Sequence, residues 1–339
     1  MHEISSSKLM AIIAAQVRLV SLGNDLSAVM DTASATAVEL TGADGAVVEL
    51  LEGDDIVYRS ACGLAEPQLG LRMPVANSLS GFCLSNQSAA ICSDSETDSR
   101  VNREACRKVG LRAMVIVPLI ADGQAIAVMK LVWTAPRAFE QGEADIAQLL
   151  ANMTAVLMQR AALEGPDILR QRLTLDEETG TPNRSFFHEQ LQAKLAPGKA
   201  DSGPTAIALF RIEGLDSLRG KAGDEMPAML LEISRRIERE CRVGDIVART
   251  GADEFSVLLS MAARRSIVTS QVHRISQAII SEPLRLRQEL GLDIKSRLTL
   301  RAGSALFPED GRSAAALVQS ARVVLGNDAL NMELRVRSQ

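Results

Sequence analysis

Histidine is scarce in this chain, and its distribution excludes several kinds of site. The 339 residues include three histidines, His2, His188 and His273. Residues 3–187 therefore contain no imidazole, which excludes a histidine-ligated haem and a histidine-rich zinc site from the first half. The same absence excludes a serine–histidine nucleophile pair there.

Cysteine is also sparse, and its spacing does not match a metal site or a disulfide framework. The five cysteines are scattered and form no CxxC pair: Cys62, Cys83, Cys92, Cys106 and Cys241. This pattern is typical of reduced, mostly buried thiols in a cytosolic protein. Cys83, in GFCLSN, is either a sensing thiol or a small buried apolar residue, and free cysteines are more often the latter.

The sequence has no uncharged apolar run long enough for a membrane helix. Gln16 and Arg18 interrupt the N-terminal stretch SKLMAIIAAQVRLVSLG, and no convincing cleavage site follows it, so we expect neither a signal peptide nor membrane insertion. We expect a cytoplasmic location. Apolar residues at three- and four-residue steps predict an amphipathic helix, assigned to residues 1–19. They are Met10, Ile13, Val17 and Val20.

Length and composition fit two soluble domains. The chain is 47% hydrophobic and 23% charged, with a formal net charge of −5. A nucleic-acid-binding protein normally carries a basic face, and nothing in this charge balance favours one.

Residues 20–162 read as a sensory domain. A capped helix at 24–41 precedes two short strands around a turn at 53–55. A strong hairpin signal centres on Asp122-Gly123, and a long helix covers 143–162. This order resembles a GAF domain, a small-molecule-sensing module. The resemblance is carried by Ser80-Gly81-Phe82, Asp94…Asp98-Ser99-Arg100 and VPL…DGQAIAVMKL. GAF domains bind cyclic nucleotides, bilins, haem or nothing, and the ligand is left open here.

After a linker at 163–175, residues 176–339 carry three ordered motifs. They are DEETGTPNRSFFHEQL at 176–191, GADEF at 251–255 and LTLRAGSALFPEDG at 298–311. These motifs resemble a GGDEF domain, the diguanylate cyclase module. The expected fold class is α+β, with two domains that each have a central, mainly antiparallel sheet flanked by helices.

The resemblance implies a metal site, which this sequence alters. A diguanylate cyclase joins two GTP molecules into cyclic di-GMP as a dimer, and it uses Mg²⁺ held by a first-strand aspartate and the third residue of GGDEF. The latter is present as Asp253. Arg211 replaces the former, and Glu213 follows two residues later. An arginine cannot bind Mg²⁺, so we predict an Arg211–Asp253 ion pair.

Other family positions are also replaced. Asp216 stands at a phosphate-binding lysine, Arg219 and Ala228 at guanine-reading residues, and Ala329 and Glu333 at later basic residues. Ala252 replaces the second glycine of the turn, where a methyl group disfavours a positive φ. We therefore expect no catalytic residues and no metal cofactor. The degenerate positions are Arg211, Glu213, Gly251, Ala252, Asp253 and Glu254. The alternative is an active cyclase in which Asp253 and Glu213 share Mg²⁺.

The stretch before GADEF keeps a second family motif. Many cyclases carry an inhibitory RxxD site that binds cyclic di-GMP, and Arg242-Val243-Gly244-Asp245 matches it in spacing. Arg274, in VHRIS, corresponds to a further arginine of that site. A guanidinium can bind guanine or phosphate, and a carboxylate can accept from guanine N–H groups. The simpler interpretation of Arg242 is a solvated cation near a helix end.

These residues leave three functional hypotheses. The first is an inactive signalling protein that binds cyclic di-GMP or another protein under control of the GAF domain. The second is an active diguanylate cyclase, and the third is a structural partner that binds no nucleotide. The helix at 143–162 is compatible with a homodimer seam or with a face buried on its own sheet.

Overall fold

The computed structural model divides into two compact units, Met1–Thr174 and Leu175–Gln339. It describes residues 6–139, 141–196, 204–215, 218, 225–262, 264–286, 298–326, 331–334 and 336–338. In this part of the chain, no helix is long and apolar enough to cross a membrane.

The first unit is a six-stranded antiparallel sheet in its described part, with strand order β3-β2-β1-β6-β5-β4. The strands are β1 (Gly45–Glu52), β2 (Asp55–Gly63), β3 (Arg72–Pro74), β4 (Ala90–Cys92), β5 (Ala113–Ala121) and β6 (Gln124–Trp133). The helices are α1 (Ser6–Ser21), α2 (Leu26–Thr41), α3 (Leu79–Asn86), α4 (Arg103–Lys108), α5 (Gln141–Leu163) and α6 (Pro166–Thr174).

Local sequence explains several of these boundaries. Asp25 caps α2 by accepting a 2.9 Å hydrogen bond from the Ala28 backbone N–H. Gly42, at φ 67°, ends that helix in the left-handed region. Asp122 and Gly123 both have positive φ in the turn between β5 and β6, which confirms the predicted two-residue hairpin.

The two faces of this sheet carry separate cores. One core includes Leu19 of α1, Val29 of α2 and Leu150 of α5. The other core includes Leu79 and Cys83 of α3 on the opposite face. α6 lies within the predicted linker, and its Leu173 is buried in the first core.

The sequence analysis predicted the wrong buried face for the N-terminal helix. α1 buries Ile12, Ala15 and Leu19, whereas the four residues that predicted its apolar face are exposed. They are Met10, Ile13, Val17 and Val20. The helix has apolar residues around most of its circumference, so periodicity identified the helix without identifying its buried side.

The second unit has a five-stranded antiparallel sheet in its described part, with strand order β12-β11-β7-β9-β8. Its strands are β7 (Thr205–Glu213), β8 (Ile246–Arg249), β9 (Glu254–Ser260), β11 (Leu298–Leu306) and β12 (Asn331–Leu334). β10 (Leu284–Leu286) and β13 (Val336–Ser338) form a separate parallel pair. The helices are α7 (Arg184–Leu195), α8 (Met226–Glu240), α9 (Arg265–Ile280) and α10 (Ala314–Gly326).

This sheet is also covered on both faces. Ile233 of α8 and Ile275 of α9 share one core with Phe210 of β7. Phe187 of α7 and Leu317 of α10 belong to the core on the other face. The two units are thus both α+β, each with an antiparallel sheet between helices, as the sequence predicted.

Candidate functional site: the two ends of the β8–β9 hairpin

The GADEF motif forms the closed end of a β-hairpin. β8 ends at Arg249 and β9 begins at Glu254, so the turn between them contains Gly251, Ala252 and Asp253. Thr250 N–H donates to the Glu254 carbonyl at 2.9 Å. Ile212 N–H of the neighbouring β7 donates to the Asp253 carbonyl at 2.8 Å, which fixes the turn beside the end of that strand.

The backbone of this turn does not show the strain expected from the glycine replacement. Ala252 is not among the residues with positive φ. Its methyl group therefore imposes no left-handed strain, and that expectation from the sequence is wrong.

Arg211 forms ion pairs with both acids of the motif, and its closer partner is Glu254, which the sequence analysis did not predict. It is opposite Glu254 in the β7–β9 register. Its Nη2 donates to Glu254 Oε2 at 2.8 Å, whereas its Nε is 4.0 Å from Asp253 Oδ2. Facing residues on paired strands point to the same side, so the register favours Glu254. The Glu254 side chain is buried, and the Arg211 side chain is 37% exposed.

Glu213, on the same strand as Arg211, pairs with an arginine of the other neighbouring strand, β11. Its Oε1 is 3.2 Å from Arg301 Nη1, and Arg301 belongs to β11. Asp253 and Glu254 adjoin Arg211 from the β9 side instead. Of the two acids that the alternative hypothesis assigns to a shared metal, Glu213 pairs with Arg301 of β11, whereas Asp253 adjoins β7 from the β9 side.

Arg249, which the sequence analysis did not identify, connects the acidic turn to the first motif. Arg249 is 6% exposed, and its Nη1 lies 3.1 Å from Asp176 Oδ1 and also pairs with Glu178. Its Nη2 donates to the Ala252 carbonyl at 3.2 Å. The partners lie 73 and 71 residues away in sequence, so only the packed fold identifies them.

Asp176 has a second structural role that explains part of its motif. Its Oδ1 accepts hydrogen bonds from Thr179 N–H at 2.9 Å and Thr179 Oγ1 at 2.7 Å. Asn183 then caps α7 by accepting from Phe186 N–H at 3.0 Å. In this protein the 176–191 motif thus orders the backbone that enters α7.

The other replaced positions are only partly described. Ala228 is an exposed residue near the start of α8, and Glu333 is exposed on β12. Asp216, Arg219 and Ala329 lie outside the described residues. Within the described part, no group of three or more His, Cys, Asp or Glu side chains could hold a metal ion.

The RxxD segment lies at the open end of the same hairpin. Asp245 Oδ2 accepts from Arg242 N–H at 2.9 Å, and its Oδ1 accepts from Ser260 N–H at 2.8 Å. Its carboxylate therefore closes the segment onto the end of β9. The Arg242 side chain is exposed and has no hydrogen bond or ion pair with the described residues.

Arg274 lies near this segment but is already bound. Its Nη2 donates to the Glu240 carbonyl at 2.6 Å, and its Nε is 2.7 Å from Glu240 Oε2. Burial and the carboxylates of Asp245 and Glu238 raise the pKa of Cys241, between these groups, to about 12. The cavity beside Arg242 holds about 10 Å³, so a large ligand here would lie on the surface.

Trp133 and Cys83, which the sequence analysis considered in the first unit, are both buried. Trp133 is 5% exposed and its indole N–H donates to the Gly42 carbonyl at 3.0 Å. Cys83 is fully buried, and burial raises its pKa to about 12, so its thiol stays protonated at neutral pH.

The acidic motif of the first unit is also tied to arginines. The Arg100 guanidinium donates to Asp98 at 2.7 Å and lowers its pKa to about 2. Asp94 binds Arg112 at 3.0 Å. These pairs shape the loop before α4.

Comparison with known families agrees with this architecture. The GAF domain model matches residues 23–159, and the model for the diguanylate cyclase GGDEF domain matches residues 173–329. The chain consists of a GAF domain followed by a GGDEF domain.

The relatives carry different activities in their names. Diguanylate cyclase TpbB of Pseudomonas aeruginosa (strain UCBPP-PA14) is 31% identical over 198 residues, which cover 55% of this chain and 43% of TpbB. Cyclic di-GMP phosphodiesterase NbdA of P. aeruginosa is 27% identical over 159 residues, which cover 46% of this chain and 19% of NbdA. The chain thus spans less than half the length of either relative.

A solved structure covers the second domain. The crystal structure of the GGDEF domain of P. aeruginosa TpbB is 26% identical in sequence and has a TM-score of 0.39. The match covers 48% of the present chain and 99% of the TpbB domain. None of these similarities identifies an activity for this chain.

Proposed function

We propose that this protein acts in cyclic di-GMP signalling without making the dinucleotide itself. In this proposal the GGDEF domain binds cyclic di-GMP through Arg242, Asp245 and Arg274, and the GAF domain regulates that binding. The family and the names of the relatives support the signalling class. The contacts at the two ends of the β8–β9 hairpin support the division between a lost catalytic site and a retained binding site.

The observation that carries the proposal is the Arg211–Glu254 pair. Arg211 places a permanent positive charge 2.8 Å from Glu254 and 4.0 Å from Asp253. A Mg²⁺ ion bound by Asp253 would lie beside this guanidinium and be repelled by it. Mg²⁺ also requires near-octahedral oxygen ligands, and Glu213 is bound to Arg301 instead. These residues do not fit a magnesium site.

One observation favours the alternative, an active cyclase. The Asp253 side chain is 38% exposed, so its carboxylate is accessible to a metal–nucleotide complex. Incubation of the full chain with Mg²⁺ and GTP, followed by chromatography of the nucleotides, separates the two functions. The proposal expects no cyclic di-GMP above a no-protein control. Product formation that is lost in Asp253→Ala would establish the cyclase.

Binding at the open end follows from the chemistry of Arg242. Its guanidinium is exposed beside Asp245 and can reach the guanine edge or a phosphate of a ligand on the surface. To bind the ligand, Arg274 would have to break its ion pair with Glu240, in which its Nε lies 2.7 Å from Glu240 Oε2. We therefore expect Arg242 to contribute more to binding than Arg274.

We also propose that two copies associate through α1. Met10 and Val17 are each 65% exposed, and Ile13 and Val20 continue the same stripe at heptad spacing. Leu9 and Gln16, which flank the stripe, are uncharged. Identical helices could therefore pack in parallel without like-charge repulsion.

A pair of substitutions tests which helix forms the seam. Val17→Glu should shift the protein to monomer in light scattering, because it buries a charge at the interface. Val156→Glu, at a 57% exposed position of α5, is the matched control and should leave the mass unchanged. The reverse result would assign the seam to α5.

A further inference from the structure

The GAF domain contains a cavity of about 370 Å³ on the sheet face that carries α3 and α4. This volume lies within the range of roughly 300–1,000 Å³ that is usual for small-molecule pockets. Most of its described lining is apolar and comes from the strands, from residues 64–71, from the segment that leads into α3 and from the region of α4. Representative residues are Val47, Ile56, Leu71, Met73, Leu79 and Met114.

A buried polar group lies in the wall of this cavity. Lys130 of β6 forms an ion pair with Glu49 of β1, and its ammonium group donates to Tyr58 Oη at 3.3 Å. Lys130 and Tyr58 line the cavity, whereas the fully buried Glu49 is not among the lining residues. Glu49 therefore lies behind the two groups that a ligand would meet.

The protonation states in this group are fixed at neutral pH. Burial and the nearby Glu49 raise the pKa of Tyr58 to about 12, so the phenol is neutral. Burial alone would lower the pKa of Lys130, but Glu49 and Tyr58 hold it above its usual value. The cavity wall thus presents an ammonium group and a neutral hydroxyl.

The charge balance restricts the ligand. Among the described lining residues, Lys130 is the one side chain charged at neutral pH, and Glu49 already neutralises it. An anionic ligand would have to separate this pair and leave a buried carboxylate uncompensated. A cationic ligand would meet the ammonium group. An ammonium has three donors, and Glu49 and Tyr58 use two, so one can serve a neutral acceptor.

The geometry points to a neutral, largely apolar small molecule whose carbonyl or hydroxyl oxygen accepts a hydrogen bond from Lys130. The apolar walls would bury its body, and the Lys130 ammonium would fix its polar end. This site is independent of the proposed cyclic di-GMP site, so each can fail without the other.

The full chain with ¹³C-labelled methionine methyl groups provides a local test by NMR. The probes are nonan-2-one, its matched anion nonanoate, and cyclic GMP. Met73 and Met114 line the cavity, whereas Met30 and Met129 lie in the core on the opposite sheet face. We expect nonan-2-one to shift the first pair saturably and leave the second pair unchanged. Nonanoate should bind at least about tenfold more weakly, and cyclic GMP should give no shift.

Two variants complete the test. Val132→Phe, in the cavity wall, should abolish the ketone-induced shifts by filling the space. The double substitution Glu49→Gln with Lys130→Gln removes both charges without leaving one unpaired. It should reduce the preference for ketone over carboxylate to within about twofold. Absence of shifts at Met73 and Met114 in the unsubstituted protein would overturn the proposal. Binding of nonanoate or cyclic GMP as tight as that of the ketone would overturn it equally.

Discussion

The two ends of the β8–β9 hairpin use their charged groups in opposite ways. At the closed end, Arg211 and Arg249 bind the acidic turn and its neighbours, and Arg249 and Glu254 are buried. At the open end, Asp245 closes the loop through backbone hydrogen bonds, and Arg242 extends into solvent. At the closed end the charged groups bind one another within the fold, whereas the open end presents the exposed guanidinium of Arg242.

Removal of Arg249 should have the largest effect on stability. Arg249→Ala leaves Asp176 and Glu178 without their guanidinium and removes the bond to the Ala252 carbonyl. We expect a loss of about 3 kcal/mol in the free energy of unfolding of the second unit, measured by urea denaturation. Arg242→Ala, the matched control at the open end, should change it by less than about 0.5 kcal/mol. Equal losses of unfolding free energy in the two variants would contradict the proposed difference between the closed and open ends of the hairpin.

Removal of Arg211 should have an intermediate effect. Arg211→Ala leaves the buried Glu254 carboxylate without its charged partner, and we expect a loss of about 2 kcal/mol. Glu213→Ala breaks the pair with Arg301, but the Glu213 side chain is 46% exposed, so its loss should stay below about 1 kcal/mol. A loss in Arg211→Ala no larger than that in Glu213→Ala, in the same denaturation experiment, would mean that Arg211 does not stabilise the acidic turn as described.

Acidification should weaken the second unit through His188 of α7. Burial, with Arg184 and Arg322 nearby, lowers the pKa of His188 to about 3. The unfolded chain binds a proton below about pH 6.5, so the contribution of neutral His188 is complete above that pH and is lost as pH falls towards 3. At pH 5.5 the loss should reach at most about 1.4 kcal/mol.

Two substitutions isolate this histidine. His188→Gln should flatten the dependence of stability on pH between 7.5 and 5.5, measured by denaturation at each pH. His273→Gln, on an exposed position of α9, is the control and should leave the slope unchanged. If both variants keep the slope of the unsubstituted protein, another group causes it.

The sequence predicted the features that depend on local chemistry. The Asp122-Gly123 hairpin and the GADEF hairpin follow from turn residues between apolar runs. The family motifs supplied the order of the two domains, which pattern alone would not have identified.

The features it missed depend on distant partners. Glu254 is a closer partner of Arg211 than Asp253 because of the β7–β9 register, which the sequence does not show. The contacts of Arg249 with Asp176 and Glu178 require the second unit to be packed. The face of α1 was misidentified because the helix is apolar on more than one side, and only the docked structure shows which side is buried.

Titration of cyclic di-GMP into the purified full chain, followed by calorimetry, tests the central claim most directly. Arg242→Ala is the decisive variant because its stability should be unchanged, whereas Asp245→Ala would also disturb the backbone of the loop. The account predicts saturable binding that is lost in Arg242→Ala and weakened less in Arg274→Ala. Binding that survives unchanged in Arg242→Ala, or no binding to the unsubstituted protein, would contradict it.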